Sequence, residues 1–180
     1  MNTTVAFLAQ TLAIFMGFFT RVVFTRTLSE GYVGINGLFT DILNILSLSE
    51  LGVGTAITYA LYAPIARRDI KKQQILMRMF RNFYRITAGF VLLAGLCLIP
   101  FLDILMKDRP DVNHLIIIYL LYLLNSVVSY LLIYKKTLVD AHQMNYITVM
   151  YHNGFLVLQD ILQIMVLFLT RNFILFLVIA

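Results

Sequence analysis

Residues 32–62 read YVGINGLFTDILNILSLSELGVGTAITYALY, with no proline and with Asp41 and Glu50 as the only full charges. The stretch is long enough to cross a bilayer, which takes roughly 20 predominantly apolar residues. It is not apolar all round. On a helix advancing about 100° per residue, Glu50, Gly54, Asn36, Ser47, Thr40, Thr58, Asn44, Thr55 and Asp41 share one half of the wheel. Ile35, Leu38, Phe39, Ile42, Leu43, Ile45, Leu46, Val53, Ala56 and Ile57 fill the other half, with Ser49 the polar exception. The apolar half suits lipid or packed helices. The polar half suits water, a polar solute or polar neighbours.

A carboxylate inside a membrane segment costs roughly 2.5–3.5 kcal/mol on insertion scales and faces a cavity or a partner. Asp41 and Glu50 sit near opposite edges of the polar arc, which excludes a paired-carboxylate acid/base site. Two readings stay open. One is a cavity wall lined by Asn36 and Asn44, with Glu50 and Asp41 as cation or proton coupling sites. The other is that these groups bond neighbouring helices and fix the register. Glu50 precedes Leu51-Gly52-Val53-Gly54, and glycines so placed loosen a helix. Loosened backbone at membrane depth is tolerated where it lines a cavity.

Composition bounds the class. The chain of 180 residues is 61% hydrophobic and 13% charged, with a mean hydropathy of +0.86. Soluble domains are nearer 45–50% apolar and about 25% charged. The expectation is an all-α integral membrane protein, a polytopic helical bundle with five complete spans and the start of a sixth. The net charge of +5 does not indicate nucleic acid, because the basic residues cluster in segments that flank the spans. Cys97 is the only cysteine, which leaves no internal disulfide and no cysteine-based zinc site. The N-terminal segment lacks a basic region before its apolar core and a small-residue cleavage site, so it reads as a retained helix.

The expected spans are 3–25, 32–62, 86–106, 114–134 and 146–169, with 173–180 an incomplete sixth. On the first, Thr3, Gln10, Gly17, Arg21 and Thr25 recur at helical spacing on one stripe. Arg21 either snorkels to the interface or faces the bundle interior, where it pairs with a carboxylate or binds an anion. The second span ends near Pro64, which disrupts the helical ladder. Residues 65–85 hold Arg67, Arg68, Lys71, Lys72, Arg78, Arg81 and Arg85 with apolar residues interleaved. That pattern predicts a basic amphipathic segment on the cytoplasmic surface, where each base near an anionic leaflet contributes about 1 kcal/mol. Gly89 and Gly95 allow close packing, and Pro100 ends or kinks the third span. Asp108 and Asp111 lie in a polar turn rather than a metal site. Tyr119, Tyr122, Tyr130 and Tyr134 include interface anchors. On the fifth span Thr148, His152, Gln159 and Gln163 form one stripe, with Asn153 and Asp160 beside it. This second polar face suits either hydroxyl-rich sugars or interhelical hydrogen bonds, and Asp160 is a candidate partner for Arg21. The basic residues of 65–85 together with Lys135 and Lys136 outnumber those of the opposite loops (Arg26, Lys107, Arg109 and Arg171), which predicts a cytoplasmic N-terminus.

Arg26-Thr27-Leu28, then Gly31-Tyr32-Val33-Gly34-Ile35-Asn36-Gly37-Leu38-Phe39, then Leu46-Ser47-Leu48-Ser49-Glu50-Leu51-Gly52-Val53-Gly54-Thr55-Ala56-Ile57 resemble the start of the Wzx-type polysaccharide flippases. These are the lipid-linked oligosaccharide transporters of the MATE-like (MOP) superfamily. The likeness covers residues 18–65, and a weaker similarity continues to the end of the chain. It implies a transporter that flips undecaprenyl-diphosphate-linked oligosaccharide across the bacterial cytoplasmic membrane by alternating access. Family members are built of two six-helix lobes around a cavity, so this chain corresponds to most of one lobe. Their cavity arginines hold the diphosphate, a role the resemblance extends to Arg21 and to Arg26, for which a solvated loop charge is the alternative. The polar cavity lining would then include Asn36, Asn44, His152, Gln159, Asp160 and Gln163. Implied partners are membrane lipid, the lipid-linked oligosaccharide, a polysaccharide polymerase and glycosyltransferases; no cofactor, metal or catalytic residue is implied.

Three other classes compete. A MATE-type multidrug exporter takes mostly cationic substrates, so Arg21 argues against it. A membrane enzyme of polysaccharide assembly needs a dense acidic metal motif or a large extramembrane loop, and neither is present in the sequence. A small structural membrane partner would be complete, whereas the sixth apolar segment stops after eight residues. The chain therefore reads as a portion that transports nothing alone.

Overall fold

The computed structural model describes residues 2–47, 53–106, 114–142 and 144–179. Every regular element within them is helical: α1 (Asn2–Thr27), α2 (Glu30–Ser47), α3 (Val53–Ala66), α4 (Ile70–Leu98), a 3₁₀ turn (Ile99–Phe101), α5 (Leu102–Leu105), α6 (Leu115–Ala141), α7 (Asn145–Thr170) and α8 (Phe173–Ile179). Four helices are long and apolar enough to cross a membrane, over Phe7–Thr27, Ile70–Phe101, Leu115–Ala141 and Tyr146–Thr170. At about 1.5 Å per residue, even the shortest of these matches a hydrocarbon core of about 30 Å. Their outer faces suit a hydrocarbon surrounding. On α1 alone Phe7, Leu8, Leu12, Ile14, Phe15, Phe18 and Phe19 are exposed.

Four such helices stand against the five expected, and the difference lies in residues 32–62. The described residues of this stretch lie in α2 and α3, and Glu50 with its neighbours 48–52 lies outside the described residues. The polar half of α2 lowers its hydropathy, and α3, at 14 residues, reaches only about 21 Å. A second difference follows the same logic in reverse. The basic segment and the third span are one continuous helix, α4, because no proline or glycine interrupts residues 70–88. Its buried residues Phe80, Tyr84, Thr87, Ala88, Val91 and Gly95 form one stripe that begins within the basic segment and continues into the apolar run. Pro100 then falls in the 3₁₀ turn that closes it. Helix α6 likewise runs past Lys135 and Lys136 to Ala141, since Tyr130, Thr137 and Ala141 prolong the stripe that begins at Tyr119 and Leu123.

The α3–α4 corner is built from backbone chemistry. Arg68 takes a left-handed φ of 53°, its N–H donates to Ile65 O at 3.0 Å, and the Asp69 N–H donates to Pro64 O at 2.9 Å. This is the paired bonding of a Schellman helix end. Asp69 then caps α4 by accepting from Lys72 N at 3.0 Å, and the Gln73 amide donates to Pro64 O at 3.2 Å.

The chain divides into two compact units: residues 1–40, 106–122 and 146–180 form unit 1, and residues 41–105 and 123–145 form unit 2. In unit 2, α4 and α6 approach so closely at Gly95 that an added Cβ would lie 2.9 Å from Leu123 Cδ2 and nearer still to Cδ1. Leu123 is itself buried. Gly95→Ala is expected to cost about 1–3 kcal/mol by overpacking. Gly89→Ala, with nothing within 4 Å of the new Cβ, should be neutral or gain up to about 1 kcal/mol of helix propensity. Thermal unfolding in detergent distinguishes them, and equal effects would mean that the α4–α6 contact is loose.

Candidate functional site

Unit 1 gathers most of the polar side chains that the helices carry at mid-length. Its helix directions follow from end contacts. Phe24, in the last turn of α1, packs on Phe173 at 5.6 Å and Phe176 at 5.2 Å, just beyond the end of α7. Tyr32, near the start of α2, lies 5.1 Å from Phe173, and His114, just ahead of α6, shares a cavity with Tyr32 and Thr170. So α1 and α7 run one way, and α2 and α6 the other.

Along the α1–α7 pair, Asn153 Nδ2 donates to Gln10 Oε1 at 2.9 Å. Two turns further on both helices, an added Cβ on Gly17 would sit 3.9 Å from Asp160 Oδ2. Matching steps in the same sense on the two helices are what parallel packing requires. Between α2 and α6, the Tyr122 hydroxyl donates to Asn36 Oδ1, beside Phe39, whose ring meets Tyr119 at 5.1 Å and Tyr122 at 5.8 Å. Between α7 and α8, Gln163 Nε2 donates to Phe176 O at 3.3 Å. Asn153 and Gln163 are buried, at 2% and 4% exposure, and an unpaired amide there would cost about 1–3 kcal/mol.

Arg21 lies one turn beyond Gly17. Its side chain is exposed, its guanidinium carbon is 5.5 Å from the Phe24 ring centroid, and its charge reaches the Tyr122 hydroxyl. No ion pair joins it to Asp160 among the described residues. The buried line of α1 runs through Ala13, Thr20 and Phe24, so the stripe of Gln10, Gly17 and Arg21 occupies the margin of that line rather than its centre. Thr20, next to Arg21 in the chain, is buried with its hydroxyl unpartnered among the described residues.

The other expected site residues are dispersed. Asn36 and Gln163 are spent on the bonds above, while Gln159 and Asp160 are half-buried on α7. His152 is exposed, as are Arg26 in the last turn of α1 and Asn44 and Asp41 on α2. Asp41 and Asn44 belong to unit 2. Glu50 lies outside the described residues. Sequence reasoning listed none of Gln10, Asn153, Tyr122 and Thr20 as site residues, although Gln10 and Asn153 fall on or beside the polar stripes. Tyr119, read with the interface tyrosines, is fully buried, and Tyr130 is buried too. No group of three His, Cys, Asp or Glu side chains placed to hold a metal occurs among the described residues.

Comparison with family models, curated proteins and solved structures gives no match. Chemically, the unit 1 arrangement pairs Gln10 with Asn153 and Asn36 with Tyr122 across helices, and among the described residues it leaves the Arg21 guanidinium and the buried Thr20 hydroxyl with unspent hydrogen-bonding capacity. A double-mutant cycle on Gln10→Leu and Asn153→Leu should show a coupling energy of about 0.6–1.7 kcal/mol, with the double variant more stable than Asn153→Leu plus Gln10→Leu would give if additive. Additive losses would remove the pair from the list of contacts that hold α1 on α7.

Proposed function

We propose that the chain is part of a membrane transporter that flips an undecaprenyl-diphosphate-linked oligosaccharide across the bacterial cytoplasmic membrane, with its N-terminus cytoplasmic. The observation that carries this reading is Arg21, a permanently charged guanidinium on a long apolar helix, without an ion-pair partner among the described residues. A guanidinium presents a planar fork of donors that matches a phosphate oxygen pair, and a charge at that depth is costly unless it has a role. The likeness of residues 18–65 to Wzx-type flippases supports the same substrate, as does the four-helix apolar framework. The exposed bases Arg67, Arg68, Lys71 and Lys72 around the α3–α4 corner supply a place for a diphosphate to dock first. Polymerase and glycosyltransferase partners belong to the same proposal.

The full transporter that contains this chain, reconstituted and supplied with a lipid-diphosphate-linked oligosaccharide, should lose about ten- to a hundredfold of its flipping rate in Arg21→Gln, the loss of one or two charge-assisted hydrogen bonds. Arg21→Lys should recover part of it, since the charge returns without the fork. An unchanged rate in Arg21→Gln sinks the diphosphate role. Transport of an organic cation that ignores Arg21 but needs Asp41 would favour the multidrug-exporter class instead.

Cation coupling through Asp41 or Glu50 is a separable part of the reading. Gradient-driven transport should collapse when Asp41→Asn and Glu50→Gln are combined, and unaltered gradient dependence in that variant would overturn it.

A further inference from the structure

At the end of unit 1 where α2 and α6 begin and α7 stops, Tyr32, His114, Thr170, Arg171, Asn172 and Phe173 line a cavity of about 290 Å³. It is close to the lower bound of small-molecule pockets, about 300 Å³, and its lining does not include Arg21, Gln10 or Asn153. Two of its residues, His114 and Arg171, have left-handed backbones, with φ of 65° and 50°. Glycine would relax both positions. The chain instead carries there an imidazole and a guanidinium, and both side chains are exposed.

The hydrogen-bond ledger of the rim is one-sided. Asn172 Oδ1 already accepts from Ile174 N at 2.9 Å and Leu175 N at 3.5 Å, which leaves the amide NH₂ as its offering. The Thr170 hydroxyl donates to Val166 O at 2.8 Å and accepts from Asn172 N at 3.3 Å, so it is occupied. The remaining groups, namely the guanidinium fork, the imidazole, the carboxamide NH₂ and the Tyr32 phenol, can all donate. No acidic side chain is among the described lining residues. The wall is firm: Phe173 is buried and its ring packs on Tyr32 and Phe24. A donor-rich, positively charged rim over an aromatic floor selects an anion with several acceptor oxygens.

We propose that this cavity binds a phosphate group through Arg171 and His114, with Asn172 and Tyr32 as supporting donors. The inference does not rest on the flippase reading, because it concerns other residues and needs no transport. The phosphate is either free or the headgroup of an anionic lipid, and the chemistry is the same for both.

The test uses the whole chain in nanodiscs, made either of phosphatidylcholine or of phosphatidylcholine with phosphatidylglycerol. Thermal stability is followed as inorganic phosphate or pyrophosphate is added. A ligand that binds the folded protein raises the melting temperature. The wild type should respond to the soluble anions in phosphatidylcholine, to phosphatidylglycerol, or to both, and these arms identify the source. Arg171→Gly and His114→Gly each ease the backbone, so they should fold at least as well as the wild type, yet bind about tenfold more weakly or worse. Arg26→Gln, a base outside the cavity, should respond like the wild type. The proposal is overturned if the wild type responds to none of the three phosphates. It is equally overturned if Arg171→Gly and His114→Gly respond as strongly as the wild type, or if Arg26→Gln loses as much as they do.

Discussion

Asn153 sits in the interior of unit 1 with its carboxamide shut away from solvent, and everything around it has to accommodate that. A buried amide without a partner costs several kcal/mol in the worst case, and the acceptor that Asn153 finds lies on another helix. Gln10, 143 residues earlier, supplies it. With that bond made, α1 and α7 must lie parallel at one register, and Gly17 then comes beside Asp160 two turns on. The same register carries Phe24 to the end of α7, where Phe173 and Phe176 close over it. Apolar packing alone would permit many sliding positions for two helices whose outer faces are Leu, Ile and Phe. The amide pair selects among them, in the way polar residues fix helix pairs when no aqueous phase drives them together.

Much of the helical framework was legible from periodicity. The extent of α7 matches its apolar spacing, and Ile35, Phe39 and Ile42, from the apolar half that suits lipid or packed helices, are buried. What failed were the joints. A hydropathy reading treats Lys71 to Arg85 as too charged to share a helix with the apolar run that follows. Yet no proline or glycine separates Ile70 from Ala88, and the exposed bases Lys71, Lys72, Arg78 and Arg85 do not interrupt α4. Lys135 and Lys136 misled in the same way at α6. In each case the reading placed an element boundary at a change of composition, where only a breaker such as Pro100 or a cap such as Asp69 makes one.

The candidate site was legible in residue type and less so in direction. Polar residues at intervals of seven and four identify a stripe, and Gln10, Gly17 and Arg21 do form one. The stripe lies at the edge of the buried surface because bulky Phe24 and Ala13 occupy its centre. Long side chains tolerate this. Gln10 reaches inward to its partner, and Arg21 lays its guanidinium over an aromatic ring. His152, by contrast, shares a stripe with Gln163 but is exposed, and it is its neighbour Asn153 that is buried. Tyr122 was invisible as a partner for Asn36, because nothing in a sequence pairs two residues on distant helices.

The corner between α3 and α4 has a consequence for anyone handling this protein. To the eye it is a short, solvated, strongly basic connection, the kind of place where an epitope tag or a protease site is usually inserted. Its backbone is in fact closed on itself, with the Pro64 carbonyl taking both the Asp69 N–H and the Gln73 amide and with Asp69 seated on Lys72. Tolerance to insertion depends on how far the local backbone is committed, not on exposure. The elbow is therefore a rigid joint that carries α3 and α4 as one piece. Flexibility that the molecule needs has to come from other connections, and extra sequence placed in this one would pry the two helices apart.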